Sequence, residues 1–180
     1  LSNAVKGVWA SLFTKRAVAS RRAAGVAQAN ACMAVWIQEL EAADISFILM
    51  SHNPINNNPN EVYVELAPGL GETLATGATR GTPWRMSIDV TTNQVQMLAF
   101  ASFSSGFTGS ENGTSEGMGS RVTDYSQHFL NTDTSARNAL GLHLAGIAKY
   151  LEQTLGGPQD VEGALDANGN VWIVQARPQP

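Results

Sequence analysis

Residues 159–178, Gln159-Asp-Val-Glu-Gly-Ala-Leu-Asp-Ala-Asn-Gly-Asn-Val-Trp-Ile-Val-Gln-Ala-Arg-Pro178, read as two alternating strands joined at Asn168-Gly169. Asn-Gly is the strongest short-range hairpin signal, because both central residues of a type I′ turn need φ > 0. A two-residue loop sets Ala167 against Asn170, and the same register sets Glu162 against Gln175 and Asp160 against Arg177. Alternation then places Asp160, Glu162 and Ala164 on one side with Ile173, Gln175 and Arg177. Val161, Leu165, Trp172 and Val174 fall on the other. One face is therefore expected to be apolar. The other gathers two carboxylates, an amide and a guanidinium in directly opposed pairs, whose Cβ atoms lie about 4.5–5.5 Å apart. Two readings of that face stand side by side: an ordinary solvent face with an Asp160–Arg177 ion pair, or a site. In the second, Glu162 and Gln175 supply hard oxygen ligands to Mg²⁺, Arg177 contacts a phosphate, and Asp160 positions Arg177 or a magnesium-bound water.

Working outward, Ile45–Met50 and Met33–Leu40 are continuous apolar runs that read as buried strands. Glu61–Ala67 alternates Val62, Val64 and Leu66 with Glu61, Tyr63 and Glu65, the pattern of a strand with one wet face. His52–Asn60 is a turn by composition. Trp84–Val90 and Gln94–Ala101 read as a hairpin turning near Thr91-Thr92-Asn93, and a short strand is expected near Arg121–Tyr125. The apolar spacing of Val5, Val8, Trp9, Leu12 and Phe13 predicts a buried helix face within a helix from Ala4 to Ala24, ended by Gly25. Its second half holds Lys15, Arg16, Arg21 and Arg22, read as a solvated helix end or an anion-facing patch. Leu140, Leu144, Ile147, Ala148, Leu151 and Leu155 form one stripe of a helix from Asp133 to Leu155. Ser102–Ser120 contains 13 Ser, Gly or Thr in 19 residues and is expected to be a mobile surface loop, with an Asn112-Gly-Thr114 sequon of low specificity.

Two further motifs carry candidate chemistry. Pro68-Gly-Leu-Gly-Glu72 follows a strand and opens a short helix over Glu72–Ala75; Gly69 and Gly71 let backbone N–H groups approach an anion, or simply turn the chain. In Val35-Trp-Ile-Gln-Glu-Leu40, a strand leading into a connector over Gln38, Glu39 and Leu40 presents backbone groups to an adenine edge, or is only a buried strand. With 11 Lys+Arg against 15 Asp+Glu the net charge is −4, which argues against a nucleic-acid partner. One cysteine, Cys32, forms no internal disulfide, three scattered histidines make no zinc-spaced cluster, and no apolar run approaches the roughly 20 residues of a bilayer span.

Taken in order, Trp9-Ala-Ser-Leu-Phe-Thr-Lys-Arg-Ala-Val18, Ala34-Val-Trp-Ile-Gln-Glu39, Gly69-Leu-Gly-Glu72, Gln159-Asp-Val-Glu162 and Ile173-Val-Gln-Ala-Arg-Pro178 resemble the nucleotide-binding, ATP-grasp-type domain of the pyruvate phosphate dikinase and phosphoenolpyruvate synthase superfamily. Ser20-Arg-Arg22, Ala67–Leu74 and Arg80-Gly-Thr-Pro-Trp-Arg85 are nearest to its starch dikinases, in particular those of the phosphoglucan, water dikinase type. The resemblance implies an α/β (α+β) fold with mixed or antiparallel sheets flanked by helices. It also implies transfer of the ATP β-phosphate through a phosphohistidine to a prephosphorylated glucan, with release of AMP and phosphate, in a plastid. Glu162 and Gln175 then match magnesium ligands, Arg177 a phosphate contact, Asp160 an active-site carboxylate, and Gln38–Leu40 the adenine connector. Further, it implies that the family's phosphate-binding Lys and Arg, its phosphohistidine domain and its starch-binding module lie outside these residues. The chain is thus expected to be the C-terminal part of such a domain, inactive alone, reaching its phosphorylated α-glucan through other domains. A phosphoenolpyruvate synthase-like or antibiotic phosphotransferase enzyme and a non-catalytic binding module are the alternatives.

Overall fold

The computed structural model describes residues 1–75, 80–108 and 119–180, with the backbone alone at residue 120. They form two compact units, Leu1–Glu39 and Leu40–Pro180.

The first unit holds helices α1 (Ser2–Ser11) and α2 (Lys15–Ala23) and a single 3-10 turn (Gln28–Asn30). One continuous helix was expected over Ala4–Ala24; the chain breaks it at residues 12–14. There the Thr14 hydroxyl oxygen accepts from the Ala17 amide and starts α2 as its N-cap. Arg21 fastens the break, donating from its terminal amine to the Leu12 carbonyl and from Nε to Gln28 Oε1. Neither helix buries a residue, and Phe13 stands 71% exposed. Periodicity identified the apolar face, but burial needs an opposing surface, and this unit offers no sheet. The same reason corrects Met33–Leu40: it forms no strand, because a strand exists only on a ladder partner, and Trp36, Ile37 and Leu40 are exposed.

The second unit is built on a six-stranded antiparallel sheet in the order β4-β3-β2-β1-β7-β8: β1 (Ile45–Met50), β2 (Glu61–Pro68), β3 (Trp84–Asp89), β4 (Gln94–Ala99), β7 (Gln159–Leu165) and β8 (Val171–Pro178). Four short or peripheral elements complete it: helix α3 (Glu72–Ala75), the ladder of β5 (Gly106–Thr108) with β6 (Gly119–Arg121), and helix α4 (Phe129–Thr132). The long helix α5 (Thr134–Leu155) starts where the Asp133 carboxylate accepts from the Ala136 amide and stops at Gly156, φ +80. α5 lays Leu144, Ala145 and Ala148 on one sheet face, against Phe47, Leu49, Val62, Val64, Met86, Ile88 and Val161. Leu155, expected on the same stripe, is 54% exposed, at the last turn.

The remaining expectations divide. The β1, β2 and β3–β4 elements and α3 form where sequence placed them. No strand spans Arg121–Tyr125; β6 ends at Arg121, and the Asp124 carboxylate accepts from the Ser126 amide and hydroxyl, a local turn that competes with a ladder. Within Ser102–Ser120, β5 and the start of β6 are ordered as a ladder, while residues 109–118, including the sequon, lie outside the described residues.

The terminal hairpin differs from its expected form in an instructive way. Its connection spans five residues, Asp166–Asn170, because the Asp166 carboxylate accepts from the amides of Asn168 and Asn170 while Gly169 takes φ +82. Near the turn the strands therefore pair one residue away from a two-residue register: Leu165 with Val171, Ala164 with Trp172, Gly163 with Ile173. A bulge at Val174 restores the difference. Trp172 and Ile173 thus exchange the faces expected for them. Beyond the bulge, Glu162 pairs with Gln175 and Asp160 with Arg177, as the sequence indicated.

Candidate functional site

The sheet face away from α5 is a grid whose rows cross the strands. One row runs Arg85–Glu65–Ile48–Glu162–Gln175. The next runs Gln96–Ser87–Tyr63–Met50–Asp160–Arg177. A third, Ala67–Ser46–Ala164–Trp172, is buried in its first three positions. The four residues singled out on the hairpin therefore come together, and they share a face with polar groups of β2 and β3, from which Ile48 and Met50 of β1 separate them.

Asp160 anchors the group. Its side chain is 6% exposed, and Oδ2 accepts from both Nε (3.0 Å) and Nη2 (2.8 Å) of Arg177, whose own side chain is 57% exposed. The carboxylate raises the Arg177 pKa above its ordinary value, so the guanidinium stays charged. The other oxygen, Oδ1, is buried with no hydrogen-bond partner among the described residues. An orphaned carboxylate oxygen costs free energy unless something meets it, so a water, a ligand's donor or a cation is favoured there. Glu162 and Gln175, directly opposed, carry no side-chain hydrogen bond among the described residues. A carboxylate and an amide oxygen beside an unmet carboxylate oxygen fit Mg²⁺, which takes few protein ligands and favours oxygen. Among the described residues no three His, Cys, Asp or Glu side chains gather as a metal group.

In the glycine loop two backbone amides are engaged within the protein. Gly69 (φ +77) donates its amide to the Asp44 carbonyl, and the Leu70 amide goes to the Phe107 carbonyl at 2.7 Å. A Cβ at Gly69 would lie 1.9 Å from Phe107 O, so this glycine permits close packing of β5 against the loop. Gly71 and Glu72 are exposed at the start of α3. Gln38 and Glu39 end the first unit and Leu40 opens the second; Gln38 Oε1 accepts from Trp36 Nε1.

Tyr63, Glu65 and Arg85 belong to the face although sequence reasoning did not name them as site residues. The signal available was the alternation of β2, but only the sheet order puts that side on the same face as Glu162, with one strand between them. Glu65 Oε1 accepts from the Tyr63 hydroxyl and from Arg85 Nε, each at 2.8 Å. Desolvation, with the Glu65 carboxylate beside it, pushes the Tyr63 pKa up to about 12. Because the folded value exceeds the ordinary 10.0, Tyr63 contributes stability that is complete below pH 10 and lost as pH rises through about 12. Alkaline unfolding followed by circular dichroism should show that loss, and Tyr63→Phe should remove its share of the slope.

A sheet covered by a helix on one face and bearing carboxylates, an amide and guanidinium groups on the other defines an α+β ligand-binding domain. Comparison with known sequences gives the class its family: a model of the pyruvate phosphate dikinase, AMP/ATP-binding domain matches residues 1–180, and the chain belongs to that family. It is 32% identical over 98% of its length to the chloroplastic alpha-glucan water dikinase of Solanum tuberosum, of which it covers 14%. It is also 28% identical over 97% of its length to a probable phosphoenolpyruvate synthase of Pyrococcus abyssi, covering 21% of that protein. A third similarity, 30% over 97% of the chain, is to the rifampicin phosphotransferase of Bacillus cereus, of which it covers 19%. The chain thus spans only about a seventh to a fifth of the length of these relatives.

Proposed function

We propose that the open sheet face binds ATP with Mg²⁺, as the ATP-grasp-type, ATP-binding portion of a dikinase that phosphorylates an α-glucan in plastids. The observation that carries this is Asp160: a buried carboxylate spending one oxygen on Arg177 and leaving the other unmet, beside Glu162 and Gln175. Glu162 and Gln175 would hold Mg²⁺, which supplies charge neutralisation of the phosphates when bound. Arg177 contacts a phosphate, and Asp160 holds that guanidinium in place with its own desolvation offset by the pair. By the family resemblance, Gln38, Glu39 and Leu40 match the adenine connector, and Gly69, Gly71 and Glu72 are the candidate nucleotide-side residues of the glycine loop.

The family resemblance supports β-phosphate transfer through a histidine of another domain, with AMP and phosphate released. The names of the plant relatives support a glucan acceptor and a plastid setting. The phosphoenolpyruvate synthase and rifampicin phosphotransferase similarities keep a second acceptor reading in view. Calorimetric titration of ATP with and without Mg²⁺, in this chain and in the longest protein that carries it, tests the nucleotide site; absence of magnesium-dependent binding in both sinks it. Assay of that longer protein on α-glucan, prephosphorylated glucan and pyruvate then separates the acceptors.

A further inference from the structure

Two guanidinium groups on the open face are held by carboxylates of neighbouring strands, and Glu162 lies between them. At one end Asp160 holds Arg177. At the other, Glu65 on β2 holds Arg85 on β3, and one row of the grid joins Arg85 to Glu162 through Glu65 and Ile48. With strands about 4.8 Å apart, the backbone of Arg85 stands roughly 14 Å from that of Glu162, a gap that a long side chain and an extended polyphosphate share.

The Arg85 arrangement has the features of a presented cation rather than of a sealed ion pair. The pair uses Nε alone, at 2.8 Å, and the guanidinium side chain is 42% exposed. Besides this bond the guanidinium acts on the neighbouring Tyr63 hydroxyl, and its terminal amines meet no carboxylate among the described residues. The Glu65 oxygen that holds it is itself fixed by the hydroxyl of Tyr63, which is only 7% exposed. An exposed Arg–Glu pair adds little stability in water, so three side chains locked together around a partly exposed guanidinium are poorly explained by stability. A guanidinium whose terminal amines meet no carboxylate takes phosphate in a bidentate grip.

We propose that Arg85, positioned by Glu65 and Tyr63, is a second phosphate-binding side chain on this face, serving either the terminal phosphate of a bound nucleoside triphosphate or free phosphate. Its action on a nucleotide held at Glu162 rests on the nucleotide reading above, but the phosphate grip itself does not. Wild type, Arg85→Gln and Arg85→Lys are titrated with ATP, AMP, tripolyphosphate and orthophosphate in magnesium buffer. A terminal-phosphate role predicts at least a tenfold loss of ATP affinity in Arg85→Gln, with AMP affinity within twofold of wild type. A free-phosphate role predicts that loss for orthophosphate, with ATP unchanged. Arg85→Lys, which keeps the charge without the fork, recovers only part of either loss and serves as the readout should Arg85→Gln unfold. Binding of tripolyphosphate through Arg85 in a protein that binds neither nucleotide would sustain the phosphate site and defeat the nucleotide reading. The proposal is overturned if wild type binds no phosphate compound, or if both variants bind all of them within twofold of wild type.

Discussion

Glu162→Ala is expected to remove magnesium-dependent ATP binding, lowering affinity about 100-fold, or ~2.8 kcal/mol. The reasoning starts from the donor set. Glu162 is opposed to Gln175 across β7 and β8, neither side chain is engaged elsewhere among the described residues, and the neighbouring Asp160 is occupied with Arg177 on one oxygen. Removing Glu162 takes away a carboxylate that makes no close ion pair among the described residues and acts on Arg177 only from a distance, and with it charge that draws a divalent cation. Gln175→Glu keeps an oxygen donor in place and should retain magnesium dependence, whereas Gln175→Ala should lose most of it. The measurement is calorimetry at matched free Mg²⁺. Should Glu162→Ala and Gln175→Ala both bind Mg·ATP as wild type does, the hairpin is not the metal site, and the family membership stands regardless.

Gly163→Val is expected to destabilise the second unit by about 3 kcal/mol, the upper range for forcing atoms into a filled core. A Cβ at this position would lie 2.3 Å from Phe47 Cζ and 2.5 Å from the Trp172 carbonyl oxygen. Phe47 is 1% exposed and central to the core, so its ring has nowhere to move, and the Trp172 contact is backbone. The consequence reaches function because Gly163 adjoins the bulge that brings Glu162 opposite Gln175. Urea unfolding should show a lower midpoint with an unchanged slope. A loss under 1 kcal/mol would mean that the strand shifts freely at this point, and the bulge would then not fix the site's register.

Much of the second unit was legible because its signals are local. The apolar run of β1, the alternation of β2, the hairpin of β3 and β4, and the Asp133 start of α5 each depend on neighbours a few residues away. The first unit was misread for the complementary reason: Val8, Trp9 and Phe13 carry helical spacing, and Met33–Leu40 carries strand composition, but neither pattern contains the surface needed to bury it. In the terminal hairpin, Asn168-Gly169 announced a turn. The Asp166 carboxylate, able to hold two amides, set its length, and side-chain capture of that kind is weakly encoded in a dipeptide rule.

The sequence by itself placed Asp160 opposite Arg177 and Glu162 opposite Gln175 from strand alternation and a two-residue turn; the pairs hold although that turn does not form, because the longer Asp166–Asn170 connection and the bulge at Val174 offset one another. Only the tertiary structure decided what surrounds them. The order β3-β2-β1-β7-β8 is set by burial of the whole apolar face under α5, a sum over residues far apart in the chain. That long-range packing leaves Asp160 buried with an oxygen unmet, sets Gly69 against Phe107, and brings Tyr63, Glu65 and Arg85 onto the same face as the hairpin's carboxylates.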